Sequence, residues 1–347
     1  MKDAGALFEI DIPVIQAPMA GVQDSALAVA VSTTGALGSL PCAMLSAQQI
    51  EAELATIQRA TSKPVNINFF CHQPKPYDQR QADTWIEALM PHLQQYDIAP
   101  QSLTPGAGRS PFSHDLADVI EPFSPAVISF HFGLPDDDLL ARVKAWGTCV
   151  ISSATTVAEA QWLAAKGVDA IIAQGLEAGG HRGMFLNDDL TTQSGTFALL
   201  PQIISSVDVP VIAAGGISTA AGVAAALSMG AVAVQMGTAF LLCDEARTSA
   251  VHRQQLQSET SRHTAITNVF SGKPARSIVN KAVSDIGPLS DKVMDFPHTS
   301  TAIGALRAKA EAGGAGDYSP LWCGQNASGC RAVTAAQQLQ WLYQPLS

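Results

Sequence analysis

Charge is scarce in this chain of 347 residues: 14% are Asp, Glu, Lys or Arg, and 20 Lys plus Arg against 30 Asp plus Glu leave a formal net charge of −10. No run of Lys and Arg occurs, which excludes the basic footprint that nucleic acid requires. Long apolar runs are missing as well. The longest, near residues 209–214 and 231–242, are too short for a bilayer and are broken by Gly, Gln and Thr, so no membrane partner is expected. The first ten residues lack the apolar core and cleavage site of a signal peptide, and the expected location is the cytoplasm. Cysteine is sparse and scattered: Cys42, Cys71, Cys149, Cys243, Cys323 and Cys330 form no CxxC pair and no metal-like spacing, so they read as reduced and mostly structural. No metal is expected. Also absent is a Gly-x-Gly-x-x-Gly after the first apolar run, the usual dinucleotide fingerprint.

What is present is apolar surface in quantity. Hydrophobic residues make up 47% of the chain, the balance of a compact protein, and the length suffices for one large α/β domain with an appendage. Short apolar runs alternate with alanine-rich amphipathic stretches over the first 240 residues. Strands are predicted at 14–19, 36–40, 64–71, 126–132, 148–153, 170–174, 209–214 and 231–236. Helices are predicted near 25–32, 46–59, 78–95, 136–146, 157–166, 195–206 and 219–228, several opened by Ser, Thr or Asp caps. Eight βα repeats predict a (β/α)8 TIM barrel. A doubly wound open sheet is the alternative, disfavoured because the glycine-rich turns come late, after the sixth to eighth strands. Residues 98–125, rich in Pro, Gly and Ser, read as an irregular connection. The predicted organisation is a barrel over 1–242, a smaller and mainly helical unit over 243–316 covering its mouth, and a return segment over 317–347 packing on the barrel. Helices in the covering unit are predicted near 244–259 and 303–312.

In such a barrel, catalytic groups lie at the carboxyl ends of the strands, and phosphate is often held after strands seven and eight. The seventh run ends in Gly215 and Gly216 and leads into a helix, which bares N–H groups beside a positive dipole end. The eighth ends in Gln235, Met236, Gly237 and Thr238, adding a second glycine and a hydroxyl. Together they predict a phosphate pocket. After the first strand, Ala17, Pro18 and Met19 make a narrow edge for a flat ring, while Asn66, Asn68 and Gln174 offer amides to the polar edge of a heterocycle, a satisfied core amide network being an equal alternative for Asn66 and for Asn68. In the stretch 173–183, Gly175, Gly179 and Gly180 are expected to let backbone approach a ligand, with Glu177, His181 and Arg182 as ionisable groups beside the opening. Lys273, Arg276 and Lys281 are candidates to attract an anionic substrate carboxylate, with solvated surface the preferred reading of each.

Six segments carry a resemblance: IQAPMAG (15–21), SFHFG (129–133), AQGLEAGGHRG (173–183), VPVIAAGGI (209–217), GAVAVQMGTAF (230–240) and FSGKPAR (270–276). With them in this order, the chain resembles the nitronate monooxygenases, formerly called 2-nitropropane dioxygenases, and in particular their class I members, from residue 15 to about 325. The resemblance implies FMN across the barrel top, with Ala17, Pro18 and Met19 along the ring, Asn68 and Gln174 at its polar edge, and Gly179 and Gly180 close by. It implies phosphate contacts at Gly216, Gln235, Met236, Gly237 and Thr238. His181 takes the position of the catalytic histidine, and His131 becomes a substrate contact. With an ordinary pKa of about 6.5, His181 suits a base toward nitroalkanes or a cation holding nitronate oxygens.

The implied activity is oxidation of alkyl nitronates such as propionate 3-nitronate by O2, through a flavin semiquinone, to an oxo product and nitrite. Its partners would be the small-molecule nitronate and O2, and the chain a monomer or homodimer. Related barrel flavoenzymes supply the alternative, an FMN-dependent NAD(P)H-consuming reductase acting on enoyl-acyl-carrier protein or quinone. The stretches 184–193 and 318–325 favour the oxygenase. A flavin-binding module without turnover is a third reading, disfavoured by the intact His181.

Overall fold

The computed structural model describes residues 3–103 and 109–343. Residues 104–108, within the connection read as irregular, lie outside the described residues, as do 1–2 and 344–347. Eleven strands are described: β1 (Val14–Gln16), β2 (Gly38–Pro41), β3 (Val65–Phe70), β4 (Val127–His131), β5 (Cys149–Ala154), β6 (Ala170–Gln174), β7 (Gly180–His181), β8 (Val211–Ala214), β9 (Ala233–Met236), β10 (Thr264–Thr267) and β11 (Ala275–Ile278). Eight of them form a parallel sheet in the order β1-β9-β8-β6-β5-β4-β3-β2. An Ile15–Leu37 bridge joins its ends, Leu37 N–H donating to Val14 O at 3.0 Å and Gln16 N–H to Leu37 O at 2.9 Å. The sheet is thereby closed into the TIM barrel that the eightfold repeat predicts.

Period-two alternation explains why the strand runs carry apolar residues on both faces, with buried polar side chains such as Gln16, Asn66 and Ser129 among them. Ile15, Val127, Ile151, Ile172 and Ile212 cluster with Phe8 of the N-terminal helix Ala4–Phe8. Their neighbours Val14, Ile128, Val150, Ile171 and Ala213 pack instead with helix residues such as Leu27, Leu54, Leu163 and Leu200. Both faces of each strand are thus dry.

Two local departures from the sequence expectation have simple causes. The first strand stops at Gln16 and not at 19, because Ala17 makes the last ladder bond, to Met236 O at 2.9 Å, and Pro18 has no N–H to offer. Within the connection read as irregular, a helix forms at His114–Ile120, capped by the Ser113 side chain and burying Ala117 and Ile120. Seven residues are too few for a periodic signal.

The segment that follows the barrel is anchored in two ways. Ala82, Trp85, Leu89 and Leu93 of the helix Gln79–Gln95 form one apolar cluster with Val269, Phe270, Ile303, Leu306 and Tyr318, and the Trp85 indole N–H donates to Thr299 O at 3.1 Å. The second anchor is main-chain pairing. β11 lies between β10 and β7 in an antiparallel sheet, with Ala275 opposite His181 and Arg276 opposite Gly180. The segment carrying His181 is therefore a strand of this second sheet as well as a barrel loop. Among the described residues no helix is long and apolar enough to cross a membrane.

Candidate active site

The carboxyl ends of the barrel strands open into one continuous cavity. The structure brings to its wall Ala17, Pro18, Met19, Asn68, Gln174, Gly179, Gly180, Gly216, Gln235, Met236, Gly237 and Thr238, together with His131 and His181. Asn66 is not among them. It is fully buried, donating to Ser39 Oγ at 2.9 Å, and belongs to the polar interior of the barrel.

At one end the backbone is prepared for an anion. Gly215 and Gly216 have φ of +116° and +69°, a region that a side chain disfavours. Among the described residues, the N–H groups of Gly216 and Gly237 donate to no turn or loop carbonyl. The helix Ala220–Ser228 starts just behind, with Thr219 as its cap. Gln235 adds a buried Oε1 without a partner among the described residues. Bare donors at a helix start and an orphaned amide oxygen fit the phosphate and the N–H-bearing ring edge of a flavin.

The return segment fastens this end. Gly324 N–H donates to Thr238 Oγ1 at 2.9 Å, Gln325 N–H to Glu177 O at 2.9 Å, and the Asn326 amide to Gly216 O at 3.0 Å. These residues escape sequence reading because the loops they join lie far away in the chain. Their only local signal is the run GQN at 324–326.

At the other end, the expectation of three ionisable groups beside the opening is corrected. Glu177 turns away and accepts from Thr196 N–H at 2.8 Å and Thr196 Oγ1 at 2.9 Å, at the start of the helix Thr196–Ile204. Arg182 is buried, donating to Gly175 O at 2.7 Å, Gln174 O at 2.8 Å and Gln193 Oε1 at 3.0 Å. Only His181 of the three lines the cavity. The glycines divide likewise. A Cβ on Gly175 would lie 1.9 Å from Thr196 Oγ1, and one on Gly179 would lie 2.5 Å from Gly324 N, so these two glycines serve chain packing. Gly180, with φ of +72° and nothing within 4 Å of a Cβ, is the one with open space beside it. Gln174 stands at the wall but spends its amide internally, donating to His181 O at 3.0 Å and accepting from Gly183 N–H at 2.7 Å. Asn68 donates to Ser129 Oγ at 2.9 Å.

The His181 ring is surrounded by Phe70, Phe132, Phe296 and Trp322, with centroids 6.0, 5.8, 5.6 and 5.4 Å away. Its Nε2 lies 2.9 Å from Ser271 Oγ. Burial, followed by the positive charge of Arg109 and, with smaller effect, Lys273 and the rings of His131 and His72 were they to protonate, holds its pKa well below the ordinary histidine range, so it is neutral at pH 7. His131 has both nitrogens engaged, Nε2 with His181 O at 3.2 Å and Nδ1 with Ser153 Oγ at 3.2 Å. A neutral ring satisfies both by donating from Nε2 and accepting at Nδ1.

Arg109, just beyond the connection's undescribed residues, lies 5.5 Å over Phe296, and the Lys273 ammonium lies 5.0 Å over Phe132. Burial lowers the pKa of both. The reading of Lys273 and Arg276 as solvated surface is therefore corrected: the Lys273 side chain is 23% exposed, and buried Arg276 donates to Leu176 O at 3.0 and 2.9 Å. Lys281 does lie at the surface, paired with Asp285 at 2.5 Å.

Burial also pushes the pKa values of His72, His131 and His252 from 6.5 down to about 4. Between those limits the unfolded chain binds protons that the fold refuses, so this stability is fully present above the unfolded value and is lost as pH falls toward 4. The upper limit is about 1.4 kcal/mol per pH unit for each ring. Thermal midpoints are expected to be level above neutral pH and to fall steadily from about pH 6.5 to 5; a flat profile across that window would contradict the neutral, buried rings.

The profile of the family described as Nitronate monooxygenase matches residues 3–343. The chain belongs to this family. A nitronate monooxygenase of Paraburkholderia phytofirmans is 41% identical over 346 residues, 98% of this chain and 93% of that protein. A solved structure described as nitroalkane oxidase from Streptomyces ansochromogenes superposes with a TM-score of 0.89 at 34% identity, covering 97% of this chain and 96% of the other. FabK from Thermotoga maritima, with a TM-score of 0.73 at 24% identity over 99% and 95% of the two chains, shares the fold. As a nitronate monooxygenase family member the chain is a flavin-dependent oxidoreductase acting on small molecules.

Proposed function

We propose that the flavin is FMN and that the chain oxidises alkyl nitronates with O2 to an oxo product and nitrite. The observation that carries this reading is the neutral His181, with Nδ1 free among the described residues, in an apolar, cation-flanked end of the cavity whose other end bares backbone donors. Gly216, Gly237 and Thr238 would hold the phosphate, Asn68 and Gln235 would meet the polar edge of the ring, and Ala17, Pro18 and Met19 would lie along it. When bound, the flavin supplies electron acceptance and O2 chemistry.

The protein's own residues do the rest. Arg109 and Lys273 give the apolar end a positive potential that draws in an anion. A nitronate arrives already deprotonated, so its oxidation needs placement and no base. A neutral nitroalkane must first lose a proton, and uncharged His181 is the group present to take it. Phe70, Phe132 and Phe296 exclude water around that transfer, and residues 243–316 act as the cover that keeps it excluded.

Anaerobic mixing of the flavin-loaded enzyme with propionate 3-nitronate, and separately with NADH, tests the reading. The visible flavin band is expected to bleach with the nitronate and to persist with NADH. Bleaching by NADH alone would make the chain a nicotinamide-consuming reductase and overturn the proposal.

A further inference from the structure

We propose that Ser271 is a positioning residue, which fixes the His181 ring with hydrogen on Nε2 and turns the basic Nδ1 toward the substrate. The inference rests on the reading of His181 as a base, and its atoms come from the cover and not from the barrel. Ser271 lies on the turn between β10 and β11 and is 1% exposed. The pairing of Ala275 with His181 in the β11–β7 ladder brings that turn against the ring.

Three groups meet the Ser271 hydroxyl: His181 Nε2 at 2.9 Å, Lys273 N–H at 3.4 Å and Lys273 O at 3.3 Å. A hydroxyl has one hydrogen and two acceptor sites. The Lys273 amide can only donate, so it takes one acceptor site; the Lys273 carbonyl can only accept, while Nε2 can either donate or accept, and the assignment that satisfies all three gives the hydrogen to the carbonyl. The remaining acceptor site faces Nε2, which must then carry a hydrogen. Nδ1 is left with its lone pair and has no hydrogen-bond partner among the described residues.

The same chain of bonds serves the protonated ring. When Nδ1 takes a proton from the substrate carbon, the positive charge spreads to Nε2–H, which Ser271 already accepts while its own hydrogen points to a carbonyl oxygen. No carboxylate is bonded to His181 among the described residues, so a neutral hydroxyl does the orienting.

Two readouts test this in the flavin-loaded protein. The first is the 15N spectrum of histidine-labelled protein, with the His181 signals assigned through His181→Asn. It is expected to show Nε2 protonated in the unsubstituted enzyme and a mixture of tautomers in Ser271→Ala. The second compares nitroethane with its nitronate. Ser271→Ala is expected to lose about tenfold or more in kcat/KM on nitroethane while staying within about twofold on the nitronate, with Ser271→Thr restoring the loss. An unchanged tautomer in Ser271→Ala, or an equal loss on both substrates, would overturn the proposal. Should the enzyme oxidise no nitronate at all, the proposed function fails and the tautomer measurement still decides the role of Ser271.

Discussion

His181→Asn is expected to lower kcat/KM on neutral nitroalkanes by about 10²–10⁴-fold, while flavin binding is kept and oxidation of preformed nitronates falls far less. Asn is small enough to remain among Phe70, Phe132, Phe296 and Trp322, although its amide ends at the level of Nδ1 and gives up the bond that Nε2 makes with Ser271 Oγ. What it lacks is a nitrogen able to take a proton. The split between substrates is the informative part, because a general disturbance of the cavity would depress both. Oxygen consumption measured with nitroethane and with its nitronate reads the two directly. An undiminished rate on neutral nitroalkane would remove the base from the mechanism.

Arg182→Met is expected to cost about 3 kcal/mol of folding stability and to depress turnover on both substrates. Arg182 is 1% exposed, and no carboxylate pairs with it among the described residues; its charge is held by the carbonyls of Gln174 and Gly175 and by Gln193. Burial brings its pKa down to about 10, which leaves it charged at neutral pH. Met fills similar space and opens little cavity, so the loss isolates the hydrogen bonds. Gln174 O and Gln193 Oε1 would be left unpaired at the root of the segment that presents His181, while Gly175 O keeps its bond from Ala178 N–H at 3.1 Å. Denaturant or thermal unfolding reads the stability term. Arg182→Lys is expected to recover little of it, since one ammonium cannot reproduce the guanidinium fork across three acceptors. A variant as stable as the unsubstituted protein would show that the segment is held by the β7–β11 ladder alone.

Much of the fold is legible in the residues themselves. Alternating apolar strands and capped amphipathic helices are local patterns, and eight of them in succession leave few architectures open. The loops at 215–216 and 235–238 are legible for the same reason: a strand, a glycine and a helix start are neighbours in the chain. The helix His114–Ile120 was hidden by its shortness and by the Pro, Gly and Ser around it.

Local pattern determined the barrel, the glycine loops and the position of His181. Tertiary structure decided which charges serve chemistry. Glu177 and Arg182 stand beside His181 in sequence, and both turn inward to satisfy backbone groups. Arg109 and Asn326 reach the cavity wall, and Ser271 and Lys273 reach His181 and Phe132 beside it, from distant parts of the chain. The reason is register. Ser271 meets Nε2 because Ala275 pairs with His181 in the β11–β7 ladder, and a slip of one residue would turn every side chain on that strand to the opposite face. Local propensity does not encode which residues of two distant strands face one another; the packing of the cover against the barrel sets it.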